Sequence, residues 1–397
     1  MHRVNRRAFL TRGGAVAVLA SGGLVWRAYD QGVFSAGAGP AYEPWTAWRT
    51  GAVPGPLGVV RAGILAASPH NTQPWLFRAS ATRVELYADT ERNLGPLDPY
   101  LREMHIGLGC ALENMTRTAR VLGYDVAMTR RAGSLAGPAD SPRPELVATL
   151  ELAAVRARPD ALVDAIPRRH TDRGAYVAGR PVPGEMLDAM WAAFRDDADV
   201  RLFLFSAPAE RRQFGELVLA STEAIIADPA MVAASDRWFR HRWFDVQRRR
   251  DGLTLDAAAL GPFVTAMAKV LPAASAETSH RYWLDATRDV QIPTSPLFGL
   301  IAVRDPYDRR QTLRAGQRWQ RLHLMATTRG LAMQPINQPV EMVDRERELG
   351  KPPRAAEALA ALTGDAAWKP TFAFRAGVPT RPAAASPRRP VEAVVLA

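Results

Sequence analysis

The stretch "AASPHNTQPW", residues 66–75, decides how the chain is read. It sets Ser68, Pro69, His70, Asn71, Gln73, Pro74 and Trp75 in a run with neither helical nor strand period. Pro69 and Pro74 fix two backbone φ angles and favour extended geometry at the residues before them. The side chains of Ser68 and Asn71 are then free to point away from their own backbone. Asn and Gln amides both donate and accept, which suits the edge of a uracil-like ring. A metal fits poorly, because no second His or carboxylate stands at ligand spacing from His70. Two readings stay open: a loop shaped around a ligand, and an Asx-turn closed by Asn71 with Trp75 in the core.

The surrounding chain has 397 residues, 47% hydrophobic, with 10 Trp, enough for a sizeable core in one large or two ordinary domains. Cys110 is the only cysteine, so an internal disulfide and a Cys-based zinc site are excluded. The net charge of +11 is carried by Arg. Arg forks suit planar and phosphate anions. A nucleic-acid face is not expected, because the basic runs lack interleaved aromatics or a known motif. CxxC, CxxCH, HExxH and GxxxxGK[ST] are absent, and no GxGxxG follows a strand.

Residues 1–38 read as a leader and linker outside the fold. Arg6 and Arg7 precede Phe9 and Leu10, and residues 13–26 carry no charge. This is the pattern of a twin-arginine export signal, with Ala36-Gly37-Ala38 as a candidate cleavage site. The uncharged run is shorter than the roughly 20 residues of a stable membrane span. An ordinary amphipathic helix and an uncleaved membrane anchor are the alternatives. The twin-arginine machinery moves folded proteins, so the signal favours a bound cofactor.

Residues 39–58 are rich in Pro and Gly and read as a loop. Residues 57–67 read as a helix, 83–89 as a strand, 105–124 as a helix and 145–155 as a strand. A second unit follows, with a helix at 184–195 and a strand at 199–207. Residues 208–275 are mostly helical, then come a strand at 297–304, a helix over 314–338 ending in a loop, and a strand at 371–378. Gly107 lies thirteen residues before Arg120, and Gly316 thirteen before Arg329. Each pair falls in a helix set between two strands, so the chain reads as two similar α+β halves. The halves divide as 39–160 and 161–397.

Two further stretches concentrate charge. "RRHTDR", residues 168–173, holds Arg169, His170, Thr171 and Arg173, a set able to clamp a phosphate through charge-assisted hydrogen bonds. A solvated basic turn is the plainer reading. "SPRRPV", residues 386–391, adds Arg388 and Arg389, which matter only if folding brings them beside Arg169.

Together these pieces resemble the FMN-binding nitroreductase-like fold, and more narrowly the Acg-type family, in which two nitroreductase halves are fused in one chain as an intramolecular pseudo-dimer. The resemblance covers residues 55 to 395. "SPHNTQPW" matches the family's flavin loop, which carries over Ser68, Pro69, His70, Asn71 and Gln73. "RRHTDR" matches the phosphate-side motif and carries over Arg169, His170, Thr171 and Arg173. "MQPINQP", residues 333–339, falls where the family places a loop over the flavin's far edge, giving Gln334, Pro335 and Asn337. Arg388 and Arg389 match the C-terminal basic pair. The chain departs from an ordinary nitroreductase in having one flavin loop and one phosphate motif, in opposite halves. The resemblance therefore implies one FMN per chain at the junction of the halves, with no homodimer required and no metal.

It further implies a flavin-mediated two-electron reduction of a small planar acceptor by a small-molecule donor. The chemistry would belong to flavin N5, and no side chain is singled out as an acid or base. Nicotinamide is scarce outside the cytoplasm. An exported protein that sequesters FMN without efficient turnover is therefore the alternative. The expected location is periplasmic or membrane-anchored by the twin-arginine route, without a stable span in the mature form, a cytoplasmic location being the other possibility. Residues 208–275 are expected as a lid, with Trp238, Phe239, Trp243 and Phe244 either covering the flavin or packing as core.

Overall fold

A computed structural model describes residues 23–50 and 55–396. Arg6, Arg7 and the start of the uncharged run lie outside the described residues. The architecture is mixed α+β. Strands β1 (Trp75–Ala79), β2 (Arg83–Ala88), β3 (Tyr124–Arg130) and β4 (Glu145–Ala154) form one antiparallel sheet in the order β1-β2-β4-β3. The short pair β6 (Phe239–Arg240) and β7 (Leu253–Thr254) stands apart. Strands β5 (Val200–Phe205), β8 (Leu297–Val303), β9 (Ala332–Pro335) and β10 (Lys369–Gly377) form a second antiparallel sheet in the order β5-β8-β10-β9. Taken in chain order within each half, both sheets run first, second, fourth, third. In each half a helix joins the second strand to the third: Arg102–Val121 and Arg309–Thr328, both of 20 residues. The halves are therefore repeats in topology as well as in composition.

The two central helices cross backbone to backbone. A Cβ on Gly109 would lie 2.1 Å from the Leu313 carbonyl oxygen, and one on Gly316 would lie 2.1 Å from that of Ile106. Only glycine permits this approach. The contact is reciprocal, as a pseudo-twofold junction requires. The equivalent glycines are thus Gly109 and Gly316, which hold the same place in two helices of equal length. This corrects the pairing of Gly107 with Gly316; Gly107 instead packs under Ser68 and Pro69. Gln320 donates to Asn114 at 2.8 Å and Arg321 to Glu113 at 2.8 Å, closing the same junction with polar contacts.

Two segments cross between halves and build the site. The C-terminal tail returns to the first sheet, where Phe77 N donates to Val394 O and Leu396 N to Phe77 O at 2.8 and 2.7 Å. The segment after residue 164 runs to the second sheet, where Thr171 bridges Met333 in parallel. Among the described residues, 23–38 also contact the 208–275 segment. Gly32 is buried against Trp243, and its carbonyl accepts from Lys269 Nζ at 3.0 Å. The candidate cleavage residues Ala36, Gly37 and Ala38 are exposed.

A buried acidic group ties the halves at the far end. Arg102 Nε donates to Asp344 at 2.7 Å, Asn337 Nδ2 donates to Glu103, and Asp98 accepts from the backbone of Glu103 and Met104. Burial pushes Asp98 up to about 6 and Glu341 up to about 7, and lifts Glu103 well above the carboxylate range. Arg102 is the cation that opposes these shifts. Because the folded values exceed the unfolded ones near about 4, the native state holds protons that the unfolded chain releases. Their contribution is full below that value and is lost as pH rises through 6 and 7. Melting temperature should therefore fall from about pH 5 to about pH 8, and Glu341→Gln should flatten that slope. A slope identical in the variant would remove Glu341 from the account.

Candidate anion and cofactor site

The quoted loop folds as neither of its two simple readings alone. Ser68 is extended, with φ −148° and ψ 153°, as the following proline favours. Gln73 is not: it precedes Pro74 yet holds φ 52°, and His70 and Asn71 hold φ 45° and 55°. Three non-glycine residues in the left-handed region within four positions cost of order 1–3 kcal/mol each, so surrounding contacts must hold them. Those contacts are visible. Ser68 Oγ accepts from Gln73 N at 3.0 Å. Asn71 Nδ2 donates to Pro387 O at 2.9 Å and Gly252 O at 3.2 Å, and its Oδ1 accepts from Arg388 at 2.5 Å. Gln73 donates to Arg250 O and accepts from Arg389 N, both at 2.8 Å. Trp75 is fully buried in the core.

The loop is thus a knot between the first half, the C-terminal tail and the 208–275 insertion. Asn71 and Gln73 spend their amides on protein partners. His70 bonds Ser235 Oγ at 3.0 Å; burial and the Arg173 charge pull its imidazole down to about 4, so it is neutral.

Around this knot lies a polar cavity of about 30 Å³ lined by Ser68, Asn71, Arg169, His170, Thr171, Arg173, Ser386 and Arg388. Folding therefore brings together residues from all three charged or polar stretches. Arg169 is 2% exposed; one Nη donates to Leu65 O at 3.3 Å, while Nε and Nη1 have no hydrogen-bond partner. Arg388 is 3% exposed, its Nε is likewise unpartnered, and its guanidinium lies 4.7 Å from the Trp45 ring. Arg173 donates to Ala257 O at 3.3 Å. Burial pulls Arg169 and Arg173 down to about 10, and burial plus the Arg169 charge pulls Arg388 well below its ordinary value. No carboxylate lines the cavity. Buried like charges with open N–H groups are costly unless an anion neutralises them.

A larger cavity of about 280 Å³ adjoins the first, with Thr171 and Arg173 lining both. Its walls are mostly apolar, from Val33, Ala36, Leu260, Pro262 and Ala266, with Lys269 and Arg381 among them. Lys269 pairs with Asp256 at 2.8 Å.

Other expected residues sit elsewhere. Gln334 accepts from Arg375 at 2.7 Å, Pro335 pairs with Phe374 in the sheet, and Asn337 Oδ1 accepts from Ala373 N at 2.9 Å. These three support the second sheet and line neither cavity. Arg389 clasps Gln73 and Ala393 carbonyls from behind the loop. Pro69 opens the turn over Gly107. The insertion does cover the loop, but through Ser235, Arg250 and Gly252 rather than aromatics, while Ala257 O meets Arg173. Trp238 is core beside Leu94 and Met231, Trp243 packs on Tyr42, Phe239 sits in β6, and Phe244 is exposed. Trp45 was not expected at the site: it stacks on Arg388 and meets His170 edge-on at 4.8 Å. Among the described residues no cluster of His, Cys, Asp or Glu fits a metal.

No protein-family model matches the chain. Two Mycobacterium tuberculosis proteins, named "Putative NAD(P)H nitroreductase Rv3131" and "Putative NAD(P)H nitroreductase MT3217", are each 28% identical to it over 347 residues, which is 85% of this chain and 90% of the relative. Among solved structures, the FMN-dependent nitroreductase NfnB of Mycobacterium smegmatis in complex with NADPH is 18% identical, covers 58% of this chain and 95% of its own, and has a TM-score of 0.37. A nitroreductase-named protein of Anabaena variabilis is 11% identical, over 75% of this chain and 69% of its own, with a TM-score of 0.41. Along most of its length the chain is thus similar in sequence to proteins named as nitroreductases.

Proposed function

We propose that the chain is an FMN-binding oxidoreductase holding one flavin at the junction of its halves. The observation that carries this is the set of open guanidinium N–H groups on Arg169 and Arg388 in a buried cavity free of carboxylates. Their donor chemistry fits a phosphate, which offers several acceptor oxygens and the missing negative charge. Arg169, Arg173, Arg388 and the Thr171 hydroxyl would hold that group. The larger cavity beyond Thr171 and Arg173 offers room for an apolar body. A bound flavin supplies two-electron transfer; this chain's residues bind, neutralise and shield it. The relatives' names support NAD(P)H as a donor.

Closure of the loop beneath Gly252 and Arg250 favours a second reading, a protein that holds FMN with little turnover. Mixing FMN-loaded protein with NADPH without oxygen separates the two. Reduction faster than that of free FMN supports the oxidoreductase; no acceleration supports sequestration. In either case FMN should outcompete riboflavin, which lacks the phosphate, and equal affinity for both would remove the phosphate assignment.

Asn71 acts here through Arg388. Asn71→Ala removes one acceptor from that guanidinium, which keeps Pro387 O and Ala66 O, and leaves the Gly252 carbonyl without its side-chain donor. We expect FMN affinity to fall about 5- to 150-fold, from about 1–3 kcal/mol for the lost contacts. Unchanged affinity would leave Asn71 as a structural residue of the turn.

A further inference from the structure

The larger cavity is lined by two carboxylates, and they differ in their partners. Asp256 gives both oxygens to Lys269 Nζ, at 2.8 Å. Asp172 is 3% exposed; its Oδ1 accepts from Gly174 N at 2.7 Å, while Oδ2 has no hydrogen-bond partner. The neighbouring arginines spend their N–H groups elsewhere. Arg375 reaches the Asp172 backbone carbonyl at 3.4 Å and Gly174 O at 2.6 Å, Arg173 donates to Ala257 O, and Arg381 donates to Ala259 O. Burial raises the Asp172 pKa, against the Gly174 amide and the charges of Arg375, Arg381 and Arg173. A buried carboxylate oxygen without a donor is costly, and a ligand N–H or O–H removes that cost.

The place of Asp172 limits what that donor is. Thr171 and Arg173, its chain neighbours, line both cavities, whereas Asp172 lines the larger one alone. A ligand with its phosphate among Arg169, Arg173 and Arg388 therefore meets Asp172 with its apolar body. The oxidised flavin ring carries a single N–H, an imide set between two carbonyls. Asn71 and Gln73, whose amides suit such an edge, are occupied by protein partners. Asp172 offers the acceptor, and Arg381 in the same wall offers N–H groups for a flanking carbonyl. Resting on the FMN reading above, the geometry points to Asp172 as a specificity-determining residue whose Oδ2 accepts from the imide N–H of the flavin ring.

Calorimetric titration of the full chain with FMN and with 3-methyl-FMN, which lacks the imide N–H, tests it. The native chain should bind 3-methyl-FMN about 10- to 150-fold more weakly, the worth of one hydrogen bond to a charged group. Asp172→Asn keeps an oxygen for Gly174 N and puts an amide N–H in place of the second acceptor. It should bind FMN more weakly by a similar factor and lose most of the preference between the two flavins. Its affinity for inorganic phosphate should not fall, because Asp172 does not line the smaller cavity. Equal affinity of the native chain for both flavins, or the same preference in the native and substituted chains, would overturn the role of Asp172 and leave the FMN reading standing. Uptake of neither flavin by the native chain would overturn that reading and this one with it.

Discussion

Arg169→Met should lose FMN while leaving the flavin-free protein as stable as before, or more so. The two effects have one cause. Arg169 is fully buried, gives one hydrogen bond to Leu65 O, and leaves Nε and Nη1 without acceptors. Arg388 lines the same cavity, and burial together with the Arg169 charge pulls its pKa well below the ordinary value. Without an anion the pair is a cost to the fold; with one it is the anchor. Two charge-assisted hydrogen bonds are worth about 1.5–3 kcal/mol each. Their loss predicts a fall in affinity of about 10²- to 10⁴-fold. Replacing an uncompensated buried cation by an apolar side chain of similar length is neutral or stabilising. Calorimetric titration with FMN and a thermal melt without it read both signs. A variant that melts much earlier and binds normally would make Arg169 a structural residue instead.

Gly316→Val should separate the halves. The added Cβ would lie 2.1 Å from Ile106 O and 2.9 Å from Ile106 Cα. These are backbone atoms of a helix buried across its width, so no side chain can swing aside. Overpacking of this kind costs about 1–3 kcal/mol where neighbours can shift, and more where they cannot. The expected result is a large drop in melting temperature together with loss of flavin, because the site is assembled only when the tail, the loop and the Arg169 segment meet. Gly184→Ala is the control: nothing lies within 4 Å of its added Cβ, and the helix there should gain slightly. If Gly316→Val melts like the native chain, the crossing described here does not hold the halves.

The sequence carried some of this plainly and hid the rest for physical reasons. Strands β2, β4, β8 and β10 alternate or are apolar throughout, and they fall within two residues of their expected bounds. β3 was missed although Tyr124, Val126 and Met128 alternate along its core side, because these are only half-buried and the expected helix over 105–124 ran onto its first residue. β9 was read as loop because it is four residues long and ends in Pro335. The long second helix was placed late because its first turn is Arg309-Arg310-Gln311-Thr312, a run without apolar period that Asp308 caps by accepting from Gln311 N.

At the site, the residue types were legible and their division of labour was not. Ser68, Asn71, Arg169 and Arg388 do converge, but Asn71 faces an arginine and two carbonyls rather than a ligand ring. Trp45 lay in a Pro- and Gly-rich stretch that looked like linker, and only folding sets it against Arg388. Side chains that spend their hydrogen bonds on distant backbone carbonyls, as Gln73 does with Arg250, leave no trace in local spacing.

The most direct test is the flavin content of the full chain, reconstituted with FMN and freed of unbound ligand, read as the ratio of flavin to protein absorbance. The account predicts one FMN per chain, and no retention of riboflavin under the same treatment. Two flavins per chain would contradict the single junction site, and none would contradict the reading of Arg169, Arg173 and Arg388 as its anchor.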